Sequence, residues 1–349
     1  MKELRVAIVG SGRMGKAHAE RYVKVRGAKA VVAVDIIPER AKALKEAYDM
    51  EAWYEDYREA IGRADIDIVD VCAPTYVHEE IAVAAAEAGK HVLCEKPMSL
   101  HVPEARRMQE AADRAGVLLM IALCRRFDNC WMKVKELIQS GVLGRPVVWR
   151  SVVAVRGGAP PLSWFVQKDQ GGGPIVDGAI HNLDFARYMF GEAERVAACT
   201  MTFREDATAA DTGSALVRFV SGDDLVLSWS WGLPHGARGA SVNDIIGPKG
   251  ALYFSRDARP DFASLPPPDK GWGSVVVDAG EAGIQQYPYK LNDMYLDEIQ
   301  AFVDAVREGR PSPIGGQAGI ASLAIAEAIL EAGESGATVY GPLEGGTVG

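Results

Sequence analysis

The run Val6-Ala7-Ile8-Val9 leads directly into Gly10-Ser11-Gly12-Arg13-Met14-Gly15, and Asp35 stands twenty residues beyond Gly15. This spacing constrains the fold more than any other stretch of the chain. The apolar run predicts a short buried strand. Gly10 permits a tight turn out of it, Gly12 lets backbone approach a ligand, and Gly15 lets the next helix pack closely on the sheet. A helix starting there offers free N–H groups and a positive dipole end, which suits a pyrophosphate. Asp35 closes a second apolar run, Ala30–Val34, and its carboxylate suits two ribose hydroxyls. Together these residues predict a dinucleotide site built from Gly10, Ser11, Gly12, Arg13, Met14, Gly15 and Asp35. A carboxylate at Asp35 repels a ribose 2′-phosphate, and the first base beyond it is Arg40, so NAD is expected over NADP.

The surrounding pattern extends this reading. β-like runs at 4–9, 30–35, 67–71, 91–94 and 117–122 alternate with helical patterns at Met14–Val25, Pro38–Tyr48, Tyr76–Ala88 and Val102–Ala115. Such alternation predicts an α/β domain over residues 1–123 with a doubly wound parallel sheet. Ligands of such sheets lie beyond the carboxyl ends of the strands. That places Ala73-Pro74-Thr75 and Glu95-Lys96-Pro97 on the same rim as Gly10. From residue 124 to 349 the chain reads as an α+β domain on a large, mostly antiparallel open sheet. Its strands are expected at 147–155, 196–203, 214–220, 225–231, 242–246 and 251–254, and its helices at 127–138, 179–190, 292–308 and 317–333. Two Gly/Pro-rich stretches, 156–174 and 258–274, are expected to be lids or binding loops.

Composition narrows the class. Of 349 residues 48% are hydrophobic, ordinary for a globular protein. The apolar stretches fall well short of the ~20 residues of a membrane-spanning helix. No leader pattern precedes the first strand, so a cytoplasmic protein with no membrane partner is expected. A net charge of −9 and a pI near 5.3 lack the basic footprint of a nucleic-acid partner. The five cysteines have no metal-ligand spacing, so no metal is expected and the thiols read as reduced and buried.

A second informative block is Gly171-Gly172-Gly173-Pro174-Ile175-Val176-Asp177-Gly178-Ala179-Ile180-His181-Asn182-Leu183-Asp184. On a helix, Asp177, His181 and Asp184 lie along one face, while Ile180, Leu183 and Phe185 serve the core. A carboxylate one turn from an imidazole orients it and biases its tautomer, as a general base needs. An unperturbed imidazole titrates near ~6.5, suited to proton transfer around neutrality. The glycines are expected to bring backbone close to a flat ring such as a nicotinamide. The competing reading is a capping Asp and a surface His. Lys96 leaves from the rim where a nicotinamide would lie, and Pro97 restricts it to an extended conformation. An ammonium there donates to a substrate hydroxyl and stabilises a developing alkoxide. Arg125 and Arg126 precede a helix N-terminus, an unfavourable place for cations, which points to an anionic or polyhydroxyl partner or to Asp128. Arg156, Trp164 and His235 lie in or near loops that can bound a substrate.

The chain resembles the glucose-fructose oxidoreductase and inositol dehydrogenase family (Gfo/Idh/MocA). Gly10-Ser11-Gly12-Arg13-Met14-Gly15, Glu95-Lys96-Pro97, Arg125-Arg126-Phe127-Asp128 and Gly171-Gly172-Gly173 with Asp177 and His181 carry the resemblance, over roughly residues 4 to 333. It implies a Rossmann sheet holding NAD, with His78 and Glu95 beside the cofactor. It implies that Lys96, Asp177 and His181 line the substrate hydroxyl, with sugars and cyclic polyols as substrates. It implies subunit pairing through the second sheet, giving a homodimer or homotetramer. The resulting expectation is an NAD-dependent dehydrogenase in which His181 takes the hydroxyl proton and Lys96 holds the oxygen. Two alternatives share these motifs. One is an NAD-dependent glycosidase that oxidises transiently and eliminates, with no net NADH. The other is a non-catalytic NAD-binding sensor, which would need no base.

Overall fold

Residues 2–155, 163–341 and 343 are described in the computed structural model, and they form two units. One gathers the chain up to Cys124 together with Met294–Leu323, the other Arg125–Asp293 together with the chain from Ala324. The sequence boundary at residue 123 falls beside the first division, but Met294–Leu323 joins the earlier unit.

The first unit alternates strictly: β1 (Leu4–Val9), α1 (Arg13–Tyr22), β2 (Ala28–Val34), α2 (Pro38–Ala47), β3 (Ala52–Tyr54), α3 (Tyr57–Ile61), β4 (Ile68–Val71), α4 (His78–Glu87), β5 (His91–Glu95), α5 (Val102–Ala115) and β6 (Leu119–Ala122). The strands pair in parallel in the order β3-β2-β1-β4-β5-β6. That is the doubly wound order, whose direction reverses between β1 and β4 and opens a crevice at their carboxyl ends. Val6–Val9 of β1 and all of β4 are buried, as strands covered on both faces must be. The sequence reading lacked β3 and α3, three and five residues long and too short to show a period.

The second unit begins with α6 (Asn129–Gln139), β7 (Val148–Ala154), α7 (Ile180–Phe190), β8 (Ala193–Met201), β9 (Thr212–Phe219), β10 (Asp224–Ser230), β11 (Ser241–Gly247), β12 (Gly250–Tyr253), β13 (Trp272–Asp278) and β14 (Ile284–Lys290). The chain continues through α8 (Met294–Glu308) and α9 (Gly316–Ser335) and closes with β15 (Val339–Tyr340). Nine strands among the described residues make one sheet, ordered β14-β13-β12-β11-β7-β10-β9-β8-β15. β7 and β10 pair in parallel, and the other neighbours are antiparallel. Burial alternates along β9, the mark of a sheet with one covered face. Trp149, Leu225, Leu227 and Val277 on that face pack with Leu137 of α6, Leu183 and Phe185 of α7 and Ile329 of α9.

The stretch 258–274, expected to be a lid or binding loop, has an anchor of its own and ends in a strand. Phe262 is fully buried against Tyr253 and Val276, and β13 already starts at Trp272. Helix α8 belongs with the first unit because it buries Ile299, Phe302 and Val303. Its Gln300 side chain also accepts from the Arg26 N–H at 2.8 Å and donates to the Arg26 carbonyl at 3.2 Å.

Candidate functional site

The three glycines after β1 divide their labour as their spacing requires. Gly10 has φ +99°, and a Cβ there would lie 2.5 Å from the Cys72 carbonyl group, so only glycine closes this turn. A Cβ on Gly15 would meet the Gly10 carbonyl oxygen at 1.9 Å, so helix α1 rests directly on the turn. Gly12 is the opposite case, with nothing within 4 Å of where a Cβ would stand. It also caps α1 without a side-chain hydrogen bond, which leaves first-turn N–H groups for an anion. An open cradle at the head of a ten-residue helix fits a dinucleotide pyrophosphate. Asp35 is buried at the end of β2, where Oδ2 accepts from the Ser11 N–H at 2.9 Å and Oδ1 from the Ile37 N–H at 2.9 Å. Each oxygen keeps a further lone pair, the equipment for a ribose diol. Arg13 is exposed and Met14 half-buried beside Gly12.

The turns after β4 and β5 meet at a histidine. His78 is buried at the start of α4, with Nδ1 2.9 Å from the Pro97 carbonyl and Nε2 2.8 Å from the Ala73 carbonyl. It staples the Ala73-Pro74-Thr75 turn to the Glu95-Lys96-Pro97 turn, and both ring nitrogens face protein. His78, expected beside the cofactor, thus holds the rim together. Thr75 is buried, whereas Ala73, Pro74 and Lys96 stay half-buried on the rim.

Glu95 is likewise tied into the protein. Its carboxylate turns inward, accepting from the Lys96 N–H through Oε2 at 3.0 Å and from His18 Nε2 through Oε1 at 3.2 Å. The other His18 nitrogen, Nδ1, lies 2.9 Å from Asp70 Oδ2. Burial pulls the His18 imidazole down, but the Asp70 carboxylate more than reverses this and holds it well above the usual range. Burial pushes Glu95 up, yet its bond to His18 and the nearby Lys96 charge leave it below the ordinary carboxylate range. Glu298 of α8, fully buried with neither carboxyl oxygen bonded, is pushed well up, first by burial and then by the Glu95 charge.

The sequence reading missed this cluster. Its signals were present: Asp70 is a charge inside the apolar run Ile68–Val71, and His18 stands one turn beyond Gly15 on the buried face of α1. Among the described residues, His18, Asp70 and Cys72 bring three ligand-type atoms within 4.8 Å of one another. The 2.9 Å contact of His18 with Asp70 is of hydrogen-bond length, and burial drives the Cys72 thiol strongly toward its neutral form.

In the second unit, Asp177 lies in a π turn, Pro174–Gly178, and His181 in the first turn of α7. Asp177 is buried and His181 half-buried. The four-residue step between them thus crosses a wide turn and is not one regular helical face. Ile180, Leu183 and Phe185 do enter the core. Asp184 takes another role, since its buried carboxylate accepts from Arg126 Nε at 2.9 Å and Nη2 at 2.5 Å.

Arg126 is thereby committed inside the protein, with its guanidinium 4.4 Å from the Tyr188 ring centre, and is not placed as a substrate contact. Arg125 donates to Asn182 Oδ1 at 2.6 Å and lies 4.4 Å over the Trp131 ring. Asp128 caps α6, accepting from the Cys130 and Trp131 N–H groups. Gly171, Gly172 and Gly173 approach the chain itself: Cβ atoms there would meet Phe165, Val176 and Ala210. Trp164 is half-buried and stacks on Phe165 at 3.8 Å, and His235 is exposed. Arg156 lies outside the described residues.

Residues 4–123 match the family model described as oxidoreductase family, NAD-binding Rossmann fold. Residues 131–253 match the GFO/IDH/MocA C-terminal domain. Myo-inositol 2-dehydrogenase of Thermotoga maritima is 32% identical over 321 residues, 90% of this chain and 92% of that protein. Inositol 2-dehydrogenase of Rhizobium meliloti is 29% identical, covering 94% of this chain and 96% of its own. A levoglucosan dehydrogenase solved in complex with NADH and L-sorbose superposes with a TM-score of 0.83 at 25% identity, covering 97% of this chain and 99% of that one. Among the described residues no helix is long and apolar enough to cross a membrane.

Proposed function

The chain belongs to the Gfo/Idh/MocA family of NAD-dependent oxidoreductases, and from that premise we propose that it oxidises a secondary hydroxyl of a cyclic polyol or sugar. The open cradle at Gly12, with the buried Asp35 carboxylate held beside Ser11, carries the cofactor half of this reading. The inositol and levoglucosan dehydrogenases among its relatives support the substrate half. NAD, when bound, supplies the hydride acceptor. Asp35 would hold a ribose diol of the cofactor, and the N-terminus of α1 its pyrophosphate. His181 takes the proton of the reacting hydroxyl as general base. Lys96 donates to the same oxygen and stabilises the negative charge that grows on it. Asp177 orients His181 or grips the neighbouring hydroxyl.

The test is a panel of inositols, aldoses, glycosides and acidic sugars scored for NADH fluorescence, with aglycone release followed in parallel. An NADH signal with an inositol or sugar is expected. Free aglycone without NADH would replace this reading with redox-neutral cleavage. On the best substrate, His181→Ala is expected to lower kcat about a hundredfold or more, the scale of general base catalysis, with NAD binding retained. Near wild-type turnover would remove His181 from the mechanism.

A further inference from the structure

One buried group in the first unit has no part in the chemistry so far. His18 is fully buried, and each of its ring nitrogens faces a carboxylate: Nδ1 lies 2.9 Å and 3.1 Å from the two Asp70 oxygens, and Nε2 lies 3.2 Å from Glu95 Oε1. Ionised carboxylates only accept hydrogen bonds, and a neutral imidazole donates from one nitrogen only. Both contacts are satisfied together by an imidazolium. The second Glu95 oxygen holds the N–H of Lys96 at 3.0 Å. The chain of contacts therefore runs from Asp70 on β4, through His18 on α1, to Glu95 at the end of β5 and on to the backbone of Lys96. At the far side of the same turn, the Pro97 carbonyl is held by His78.

We propose that His18 is a positioning residue for Lys96, acting through the Glu95 carboxylate that holds the Lys96 backbone. Stability alone gives no account of such a cluster, because buried ion clusters are often matched or bettered by apolar side chains of similar volume. A role in geometry does account for it, since a lysine set to meet a developing alkoxide must be fixed to well under an ångström. The helix that carries His18 is also the one whose N-terminus heads the pyrophosphate cradle. Gly15, by letting α1 rest on the Gly10 carbonyl, brings His18 within reach of both β4 and β5. Glu298 abuts the cluster without bonding to it; it leaves His18 as the cation between Asp70 and Glu95. The inference rests on the proposed role of Lys96 in turnover.

The experiment uses the full-length protein and three readouts. In 15N-histidine spectra at about pH 7.5, where free imidazole is mostly neutral, both His18 ring nitrogens are expected to carry imidazolium shifts. A neutral tautomer there overturns the proposal. In Glu95→Gln, and again in His18→Gln, the Lys96 amide is expected to exchange hydrogen at least about tenfold faster, with the β1 amides unchanged. Unchanged exchange at Lys96 in a folded variant overturns it as well. On whichever substrate the panel yields, kcat is expected to fall about ten- to a hundredfold in Glu95→Gln while the NAD dissociation constant stays within about twofold. Equal losses in NAD affinity and kcat would mark a purely structural role. Should no substrate turn over in the wild-type protein, the functional reading fails by itself, and the 15N and exchange measurements still decide whether His18 holds the turn.

Discussion

At the scale of single residues, the glycine motif and the arginine pair are opposite cases. Gly15 does what its position in the sequence implies, and the expected consequence is severe. In Gly15→Ala the new methyl must displace the Gly10 carbonyl or lift α1. We expect a loss of about 1–3 kcal/mol or more, measured by denaturant unfolding, with NAD affinity reduced in the fraction that folds. A variant that binds NAD as tightly as wild type would show that α1 tolerates the lift. Arg126 reads in sequence as a ligand contact but in space answers a carboxylate fifty-eight residues away. Asp184 is 1% exposed, so Arg126→Ala takes a charged, two-pronged contact away from a buried carboxylate and is expected to cost about 3 kcal/mol. Adding Asp184→Asn should recover part of that loss. If Arg126→Ala instead left stability intact and raised only the substrate KM, the ligand-contact reading would return. Local sequence shows which residue types are present but not which buried carboxylate a cation will meet.

At the scale of elements, legibility followed periodicity and length. The six-residue β1 and the fourteen-residue α5 carry strong patterns and matched their expected ranges closely. β13 and β14 are not legible in the sequence, because the Gly/Pro-rich stretch 258–274 runs into Trp272–Asp278, which pairs with Ile284–Lys290 in a seven-residue register. Helix α8 is legible as a helix but its place in the first unit is not, since partner choice depends on packing against α1, which no local pattern states. That packing makes stability depend on pH. α8 brings Glu298, with Tyr295, to a cluster holding His18 and Tyr22 on α1, Asp70 and Cys72 at the end of β4, and Cys94, Glu95 and Lys96 on and after β5. Arg13 lies near Tyr295. His18 and Glu298 both hold protons more tightly folded than unfolded. Their contribution to stability is complete below their ordinary values, 6.5 and 4.5, and is lost as pH rises through the folded values. Glu95, held low, acts in the other direction and loses its contribution only in acid. Stability is therefore expected to decline from about pH 5 toward alkaline conditions, by about 1.4 kcal/mol for every tenfold by which folding tightens the hold on a proton. Glu298→Gln, an uncharged isostere, should flatten that decline. An identical pH profile for wild type and Glu298→Gln would show that Glu298 does not hold its proton in the fold.

For the whole molecule, the informative surface is the side of the nine-stranded sheet that α6, α7 and α9 leave uncovered. Leu216 on β9 and Val226 on β10 are direct cross-strand partners, and both are exposed. Val242 and Ile246 on β11 are exposed too, and they pair with Val152 and Val148 on β7. The register places all six side chains on one face, since Arg150 pairs with both Val226 and Asp244. This group of apolar side chains on a broad open sheet is where we expect subunits to associate. Two ion pairs, Arg150–Asp244 and Arg218–Asp224, lie on the same face, and the net charge of −9 on the chain as a whole disfavours indiscriminate self-association. An isologous interface requires such a self-complementary patch, because each side chain meets its own symmetry partner or that of a neighbour. We expect the protein to sediment as a homodimer or homotetramer. Placing glutamates at Leu216 and Val226 buries like charges at that contact and should shift the population to smaller species at micromolar concentration. NAD affinity should stay unchanged, since neither residue belongs to the unit that carries Gly12 and Asp35. A wild-type protein that sediments as a single chain, or a double variant whose assembly is undisturbed, would show that this face does not join subunits.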